Sequence, residues 1–427
     1  GYDELSGGDD DDTLYGGVGS DLLSGGDGND TIDGGEGEET NGGDTIDYSS
    51  KSIFVDVNLM NTDANDYATA SLGTENDKLK NIENITGTVG NDYIGGDNDN
   101  NIIDGNIGDD TLVGANGDDT LIGGDGDDTF KAGLDENGDK TLESGDDGVD
   151  YYDGEEGQED NNGDTLDYSA FDNTHNINVD LSITSDTAGF TDVTTVSVNN
   201  GSNDYIKNIE NITGSAGADV IKGDSSANIL DGSAGNDTLS GAGGADTLEG
   251  GTGINRADYS DAASKIVVDM ENATEEVSND GDGSSDNLNN IQEIEATNAN
   301  DTIYGSSADE LFIGNNNDDT FMGRDGNDTI YGGSEARVDD SSADTVSYEY
   351  LNTGSKSVTV DLSNDAGTAV VDGSDTDTLY DIENIIGGDG NDVITGSDAA
   401  NNLKGGDGND TFIATSANDG ADVIDGG

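Results

Sequence analysis

The chain has 427 residues, of which 96 are Asp or Glu and only 13 are Lys or Arg, and its formal net charge is −83. A charge of this sign and size excludes a nucleic-acid-binding surface, which needs clustered Lys and Arg, and argues against anionic membranes. Only 30% of the residues are hydrophobic and no apolar run approaches the length of a membrane span, so without counterions we expect an expanded, disordered chain.

A nine-residue unit begins at residue 7 and sets the pattern of the chain. Residues 7–33 read GGDDDDTLY, GGVGSDLLS and GGDGNDTID, with Gly at position one, Asp at position six and an apolar residue at position eight. The frame returns from residues 87, 214, 296 and 387 and gives nineteen units, with Asp at position six fifteen times, Asn three times and Glu once. A flexible linker would not keep Ile, Leu or Phe on a nine-residue register, so we expect a folded repeat array when metal is bound.

Four longer segments separate the arrays and are copies of one another. Each opens on a phrase with a tyrosine, continues as an alternating apolar strand such as IFVDVNL (53–59), and closes on a phrase such as NIENITG (81–87). Alternation with β-branched residues predicts strands rather than helices. We expect larger coils of one solenoid, with these side chains packed in the core: Tyr48, Tyr168, Tyr259, Tyr348, Ile82, Ile85, Ile209 and Ile212.

The predicted organisation alternates arrays and inserts in one continuous solenoid. The arrays span 1–43, 87–163, 214–256, 296–343 and 387–427, and the inserted coils span 44–86, 164–213, 257–295 and 344–386. The second array contains an acidic loop, residues 134–145, which we interpret as a solvated insertion or an accessory calcium loop. Both ends of the chain fall in mid-repeat, which favours a piece of a longer protein or a chain that stacks head to tail.

One apolar residue per unit cannot form a core, so neighbouring units must stack and share one. A short strand around position eight and a glycine turn make half a coil, and two units make a coil of eighteen residues, about 4.8 Å from the next. Position-six carboxylates eighteen residues apart then become vertical neighbours. The expected pairs are Asp12 with Asp30, Asp92 with Asp110, Asp110 with Asp128, Asp219 with Asp237, Asp301 with Asp319, and Asp392 with Asp410.

Stacked carboxylates repel one another unless a cation lies between them. Carboxylates and the carbonyl groups of glycine turns form a set of hard oxygen ligands, which Ca²⁺ prefers. The chain has no Cys and one His, so the sites of softer metals are excluded. We expect on the order of 10–20 calcium ions, bound as the chain folds.

The units GGVGSDLLS, GGDGNDTID, GANGDDTLI and GGDGNDTFI resemble the GGxGxDxUx repeat of the RTX (repeats-in-toxin, haemolysin-type) calcium-binding proteins. The resemblance implies an all-β, parallel β-roll that folds in extracellular calcium after type I secretion. It also makes the position-six side chains the metal ligands: Asp12, Asp21, Asp30, Asp92, Asn101, Asp110, Asp119, Asp128, Asp219, Asn228, Asp237, Asp246, Asp301, Glu310, Asp319, Asp328, Asp392, Asn401 and Asp410. Where Asn replaces Asp the charge is lost, so weaker binding is expected there.

The motifs of an active site are missing from the sequence. It contains no H-E-x-x-H, no G-x-S-x-G and no phosphate-loop lysine, and the regular spacing of its carboxylates favours metal binding over glycoside hydrolysis. We therefore expect no enzyme in this chain, and we interpret His175 as an exposed loop residue.

The sequence favours a calcium-dependent structural or adhesive module of a secreted bacterial surface protein, such as an S-layer, an adhesin stalk or an extracellular filament. The alternative is a calcium-triggered secretion and folding module of an enzyme whose catalytic domain lies outside this chain. Ice binding is disfavoured because position three carries no regular row of Thr or Asn. The expected partners are calcium ions, further copies of the chain through exposed strand edges, or other cell-surface components.

Overall fold

The computed structural model describes residues 1–35, 42–133, 148–155, 163–187, 190–198, 203–272, 276–336, 342–351, 356–413 and 420–427. Their regular secondary structure is β-strand, with one 3₁₀ turn at Glu349–Leu351 and no α-helix in these ranges. The chain divides into two compact units, and each is described by itself. The first comprises Gly1–Gly223 and Ile229–Asp237, and the second comprises Asp224–Asn228 and Thr238–Gly427.

The first unit contains strands β1 to β23. They are β1 Glu4–Asp9, β2 Thr13–Tyr15, β3 Leu22–Asp27, β4 Thr31–Asp33, β5 Thr45–Asp47, β6 Asp56–Thr62, β7 Ala68–Leu72, β8 Glu75–Lys80, β9 Asn84–Thr86, β10 Tyr93–Gly95, β11 Ile102–Ile107, β12 Thr111–Val113, β13 Thr120–Asp125, β14 Thr129–Lys131, β15 Tyr151–Asp153, β16 Thr165–Asp167, β17 Ile177–Asp180, β18 Ser185–Thr187, β19 Phe190–Val198, β20 Asp204–Lys207, β21 Asn211–Thr213, β22 Val220–Lys222 and β23 Ile229–Asp231.

Within the arrays of this unit, successive strands alternate between two sheets, so that each coil gives one strand to each sheet. In one sheet β9, β11 and β13 are parallel neighbours, and in the other β10, β12 and β14 are. The register is eighteen residues: Leu14 pairs with Ile32, and Leu112 with Phe130. The sequence prediction of a parallel β-roll with two nine-residue units per coil is confirmed.

The inserts of the first unit enlarge a coil by doubling back. After β5 the chain runs forward into β6, returns through β7 and β8 as an antiparallel meander, and places β8 directly beside β4 and β6 beside β10. The second insert repeats this arrangement in the other sheet, where β17, β19 and β20 are antiparallel and β17 continues in parallel to β22. The parallel stack therefore resumes after each insert.

The second unit contains strands β24 to β43. They are β24 Thr238–Ser240, β25 Thr247–Glu249, β26 Arg256–Asp258, β27 Val267–Asp269, β28 Val277–Asn279, β29 Asn287–Asn289, β30 Glu293–Glu295, β31 Thr302–Tyr304, β32 Leu311–Ile313, β33 Thr320–Met322, β34 Thr329–Tyr331, β35 Thr345–Ser347, β36 Val358–Asp361, β37 Gly367–Val371, β38 Asp375–Tyr380, β39 Asn384–Ile386, β40 Val393–Thr395, β41 Asn402–Lys404, β42 Thr411–Ile413 and β43 Val423–Asp425.

The second unit is built in the same way. Strands β30, β32 and β34 are parallel neighbours in one sheet, and β31, β33 and β35 are parallel neighbours in the other. Its inserts also double back, since β27 and β28 are antiparallel, and so are β36, β37 and β38.

The apolar interior is a thin column between the two sheets of each unit. All nineteen position-eight side chains are buried except Phe412, which is half-buried. The four insert tyrosines and the four isoleucines expected in the core are buried as well. Burial of one Leu or Ile contributes roughly 1.5–3 kcal/mol, so the column supplies the apolar part of the stability.

Candidate metal-binding turns

Position six lies where each turn enters its short strand, so the same side chain recurs at the same height in successive coils. The structure stacks all six predicted pairs. In each pair the backbone N–H of the lower residue donates to the Oδ1 of the residue eighteen positions later, at 2.8 Å from Asp12 to Asp30 and 2.7 Å from Asp110 to Asp128. The other four contacts are Asp92 to Asp110, Asp219 to Asp237, Asp301 to Asp319, and Asp392 to Asp410.

These side chains point into the protein. Of the nineteen predicted site residues, all are buried except Asp12 and Asp410, which are half-buried. Burying a carboxylate without a compensating charge or donor costs several kcal/mol. The surroundings of the second carboxylate oxygen therefore indicate whether a turn needs a cation.

Eleven turns share a backbone conformation that we call open. Their residues at positions two and four both have positive φ, as Gly124 (113°) and Gly126 (141°) do, although position two is often not Gly: Ala115 (75°) and Arg324 (71°) adopt it as well. The position-six residues of the open turns are Asp12, Asp21, Asp30, Asp110, Asp119, Asp128, Asp237, Asp246, Asp319, Asp328 and Asp410.

In four of the open turns the second carboxylate oxygen and a carbonyl oxygen of the next coil both lie beside the glycine at position one, which is Gly7, Gly16, Gly105 or Gly314. The Oδ2 atoms of seven position-six residues of the open turns are buried and accept no hydrogen bond: Asp12, Asp21, Asp30, Asp110, Asp246, Asp328 and Asp410. A Cβ added at Gly105 would overlap Asp110 Oδ2 and lie 2.7 Å from the carbonyl oxygen of Gly123, one coil later. Position one is therefore Gly because a carboxylate oxygen and a carbonyl oxygen both converge on it.

The electrostatics of the open turns favour a cation. The pKa of Asp110 is raised to about 8, mainly by burial and also by the nearby carboxylates of Asp92 and Asp128. Burial likewise raises the pKa of Asp237 and of Asp246 to about 7. Without a cation these carboxyl groups hold protons near neutral pH, and a divalent ion would displace them.

The donor set fits calcium if main-chain oxygens take part. Among the described residues no three His, Cys, Asp or Glu side chains converge on one point. A cation in an open turn would therefore combine stacked position-six carboxylates with carbonyl oxygens of the turns, and hard oxygens of this kind suit Ca²⁺.

The other eight turns, which we call closed, have no positive φ at positions two or four. In each of them the backbone N–H of position two donates to the side chain of position six, as from Thr88 to Asp92 Oδ2 (2.5 Å) and from Gly388 to Asp392 Oδ2 (2.9 Å). The remaining six acceptors are Asn101, Asp219, Asn228, Asp301, Glu310 and Asn401.

The closed turns are the first two units after each insert. They stack on an insert rather than on another glycine turn: the backbone N–H of Val55 donates to Asp92 Oδ1 (2.7 Å), and that of Val358 to Asp392 Oδ1 (2.8 Å). In the second unit after two of the inserts an amide donates to the coil below, from Asn101 Nδ2 to the Glu83 carbonyl (2.7 Å) and from Asn401 Nδ2 to the Glu383 carbonyl (2.9 Å).

The inserts add buried aspartates that the nine-residue frame did not identify. Asp77 accepts the backbone N–H of Asp30 on Oδ1 (2.9 Å) and the hydroxyl of Tyr48 on Oδ2 (3.1 Å). The other three tyrosine-capped aspartates are Asp204 with Tyr168 (2.8 Å), Asp286 with Tyr259 (2.9 Å) and Asp377 with Tyr348 (2.9 Å). The recurring tyrosine phrase of the inserts was the available signal.

A second recurring contact of the inserts joins an acidic residue to a glutamate. The backbone N–H of Asp44 donates to Glu83 Oε2 (2.6 Å), and the same contact joins Asp164 to Glu210 (2.8 Å) and Asp344 to Glu383 (3.0 Å). The third insert has amides at both positions, with Asn255 donating to Gln292 Oε1 (2.9 Å). There the Asn255 side-chain amide also donates to the carbonyl of Asn290 (3.1 Å).

One prediction from the sequence is wrong, and another falls outside the described residues. His175 is not an exposed loop residue, because its side chain packs against Phe171 and its Nδ1 lies 2.9 Å from Asp172 Oδ1, which leaves 8% of the residue exposed. The acidic loop at 134–145 lies outside the described residues. No helix in the described part of the chain is long and apolar enough to cross a lipid bilayer.

Comparison with protein families gives one match. The model of the RTX calcium-binding nonapeptide repeat (4 copies) matches residues 3–38, 81–112, 104–137, 208–239, 223–257, 292–316, 313–336 and 377–412, together more than half of the chain. No curated protein matches the chain.

Among solved structures, 27 chains match, and one of them is the crystal structure of the extracellular lipase LipA from Serratia marcescens. The sequence identity is 16%, the match covers 68% of this chain and 38% of the lipase chain, and the TM-score is 0.15. This chain therefore spans well under half of the lipase, and the two structures do not superpose as a whole.

Proposed function

The chain belongs to the family of RTX calcium-binding nonapeptide repeats, and from this premise we propose that it is a structural or adhesive module of a secreted bacterial surface protein that folds on binding extracellular calcium. The position-six side chains of the repeats, with turn carbonyls, are its proposed calcium ligands. Its proposed location is the cell surface.

The observation that carries this proposal is the buried Oδ2 atom of the open turns. In Asp110 this oxygen accepts no hydrogen bond, and it lies beside Gly105 together with the carbonyl oxygen of Gly123. A carboxylate oxygen beside a carbonyl oxygen has no donor to offset its loss of water, whereas a divalent cation satisfies both oxygens at once.

Calcium binding and folding are then one process. The chain carries a formal net charge of −83, which opposes compaction, and each bound ion removes two negative charges and joins two stacked turns. Weak oxygen sites are filled at millimolar extracellular calcium and empty at cytosolic calcium, so the chain would stay unfolded for export and fold outside the cell.

The structural or adhesive role is supported by the extent of the repeats. Arrays and inserts occupy the chain from end to end, and the motifs of a hydrolase or a phosphate-binding loop are missing from its sequence. The partners we propose are calcium, further copies of the chain and other cell-surface components. Electron microscopy of the calcium-loaded protein would show fibres or associated particles if the chain joins to itself.

A second candidate function is a calcium-triggered folding module attached to a secreted enzyme, which the family premise equally supports. The complete sequence of the protein decides between the two roles. A catalytic domain encoded in the same protein favours the second candidate, and further repeats or surface-anchoring segments favour the first.

The folding proposal is tested by far-ultraviolet circular dichroism. We expect a change from coil to β-structure on addition of millimolar CaCl₂ and its reversal by a chelator. MgCl₂ at the same ionic strength is the control, because it screens the negative charge equally but does not fit flexible oxygen sites of this kind. Identical spectra with and without calcium, or an equal response to magnesium, would contradict the proposal.

A further inference from the structure

We infer that calcium binds only at the eleven open turns, and that the eight closed turns and the four tyrosine-capped aspartates are held by the protein's own hydrogen-bond donors instead. This inference rests on the proposed calcium-dependent folding and divides its candidate sites into two classes. Asp110, for example, then binds calcium, and Asp92, one coil below, does not.

Open and closed turns differ first in the direction of the backbone. Positive φ at positions two and four turns peptide groups over relative to a closed turn. In the closed turn the N–H of position two points at the position-six side chain and donates to it, as Ser215 does to Asp219 Oδ2 (2.7 Å). An N–H group in that place satisfies the carboxylate and repels a cation.

Side-chain hydroxyl groups complete several of the closed turns. Thr88 Oγ1 donates to Asp92 Oδ1 (2.9 Å), Ser215 Oγ to Asp219 Oδ1 (2.9 Å), and Thr297 Oγ1 to Asp301 Oδ1 (3.1 Å). With the backbone donors already described, both oxygens of these carboxylates are hydrogen-bonded. They need no cation in order to stay buried.

The first closed turn after an insert also differs from the open turns in what lies one coil below it. A calcium ion held between coils draws oxygens from two stacked turns, and an open turn can stack on an open or a closed glycine turn: Asp128 stacks on the open turn of Asp110, and Asp110 stacks on the closed turn of Asp92. The turn of Asp92 stacks on the strand entry at Val55 and not on a glycine turn. Half of the oxygen set is therefore missing below the first closed turn.

The asparagines at position six fit the same division. Replacement of Asp by Asn removes a negative charge, which weakens calcium binding. At Asn101 and Asn401 it also adds an NH₂ donor, and both residues use this donor in a hydrogen bond. Each Nδ2 donates to a carbonyl oxygen of the coil below, where a cation would otherwise join the two coils. These residues replace the cation and do not weaken a site.

The tyrosine cap supplies a hydrogen-bond donor to a buried aspartate in each insert. Asp77 occupies the stack directly above Asp30, whose own Oδ2 is buried and accepts no hydrogen bond. In Asp77 the corresponding oxygen accepts the hydroxyl of Tyr48, which is buried. Because the same arrangement recurs in all four inserts, each insert with the one coil of two closed units after it forms a segment that does not depend on calcium, such as residues 48–104.

The test counts bound calcium in variants of the full chain refolded in calcium. We expect Asp110→Asn to lose bound ions and Asp92→Asn to bind as many as the wild type, measured by equilibrium dialysis with atomic absorption. Asp109→Asn, an exposed neighbour with the same loss of charge, is the matched control and should also bind the wild-type number. Equal losses in Asp92→Asn and Asp110→Asn would overturn the inference.

A second pair of variants covers the case in which Asp92→Asn fails to fold. Asp319→Asn should lose calcium and Asp301→Asn should not, since their turns are open and closed respectively. The wild-type count should lie nearer eleven than nineteen, at about one ion per open turn. A wild type that binds no calcium would overturn the proposed function, whereas a wild type that fills all nineteen turns would overturn only this inference.

Discussion

Residues 105–131 and residues 75–104 are successive parts of one stack, yet their buried oxygens are satisfied by different means. The first segment contains three open turns, with the position-six residues Asp110, Asp119 and Asp128. The second contains the tyrosine-capped Asp77 and the closed turns of Asp92 and Asn101. Strands β9 and β11 of the second segment and β13 of the first are parallel neighbours with partners eighteen residues apart, so the coil geometry itself does not require a cation in every turn.

The difference shows that a turn's place in the stack decides its chemistry as much as its own sequence does. The unit GGDGNDVIT at 387–395 fits the repeat frame completely, yet its turn is closed, because it stacks on the insert strand that begins at Val358. Local sequence permits an open turn, and the coil below decides whether it forms.

Removal of calcium should give the largest difference between the two segments. We expect backbone amides in residues 105–131 to lose nearly all protection from hydrogen exchange on chelation, because their buried carboxyl oxygens then have no cation to offset their loss of water. Amides in residues 75–104 should keep more protection, since their donors remain. Hydrogen exchange with mass spectrometry, with and without calcium, measures both segments in one sample, and equal loss in both would contradict the distinction.

Acidification should partly reverse the effect of chelation. The pKa of Asp110 in the fold, about 8, lies above its ordinary value of 3.8, so the metal-free fold binds more protons than the unfolded chain between these values. Its stability is present at low pH and decreases as the pH rises towards 8. We expect the chelated protein to show more β-structure by circular dichroism at pH 5 than at pH 7.5.

The control for this pH dependence is Asp110→Asn, which removes one of the titrating groups. Its β-signal in chelator should depend less on pH than that of the wild type, by the share of this one carboxyl group. A wild-type signal that rises with pH would show that these carboxyl groups are not protonated in the metal-free fold.

The next largest effect is expected when a core side chain is shortened, because this lowers the stability of the calcium-loaded arrays. Leu112 is completely buried, so Leu112→Ala should lower the free energy of unfolding by about 2–5 kcal/mol through lost burial and a cavity. Ile107, in the same unit, is 42% exposed, and Ile107→Ala is the matched control. Urea unfolding in excess calcium measures both, and similar losses would contradict the predicted role of position eight.

Removal of a tyrosine hydroxyl should have the smallest effect of these changes. Tyr48→Phe leaves Asp77 Oδ2 buried without its donor and should cost about 1–3 kcal/mol. The calcium count of the refolded variant should not fall, because this pair does not hold an ion. Tyr15→Phe, at a residue 65% exposed, should leave stability unchanged, and a loss of calcium in Tyr48→Phe alone would contradict the capping role.

The sequence predicted the parallel coils, the eighteen-residue register and the buried position eight, because each depends on a period that the chain repeats many times. It did not predict the doubling back of the inserts, since alternating strands such as β6 and β7 have the same pattern in parallel and antiparallel sheets. Nor did it predict the cap on Asp77, because Tyr48 lies 29 residues away and only the folded insert brings them together.

The two classes of turn left a signal in the sequence that position six alone does not show. Position seven is Thr in ten of the eleven open turns, with Leu22 as the exception, and in one of the eight closed turns, at Thr302. The pair Asp-Thr therefore marks open turns better than the glycines do, since Ala115, Ser233 and Arg324 all take positive φ at position two.

The amide pair of the third insert has a practical consequence. Asn255 and Gln292 stand where the other inserts carry an Asp and a Glu, and the fold accommodates both neutral side chains together. The protein thus contains its own template for a coil in which this contact carries no negative charge. Transplanting that pair to Asp44 and Glu83 would remove two negative charges from the first insert and leave an amide oxygen to accept the backbone N–H of residue 44.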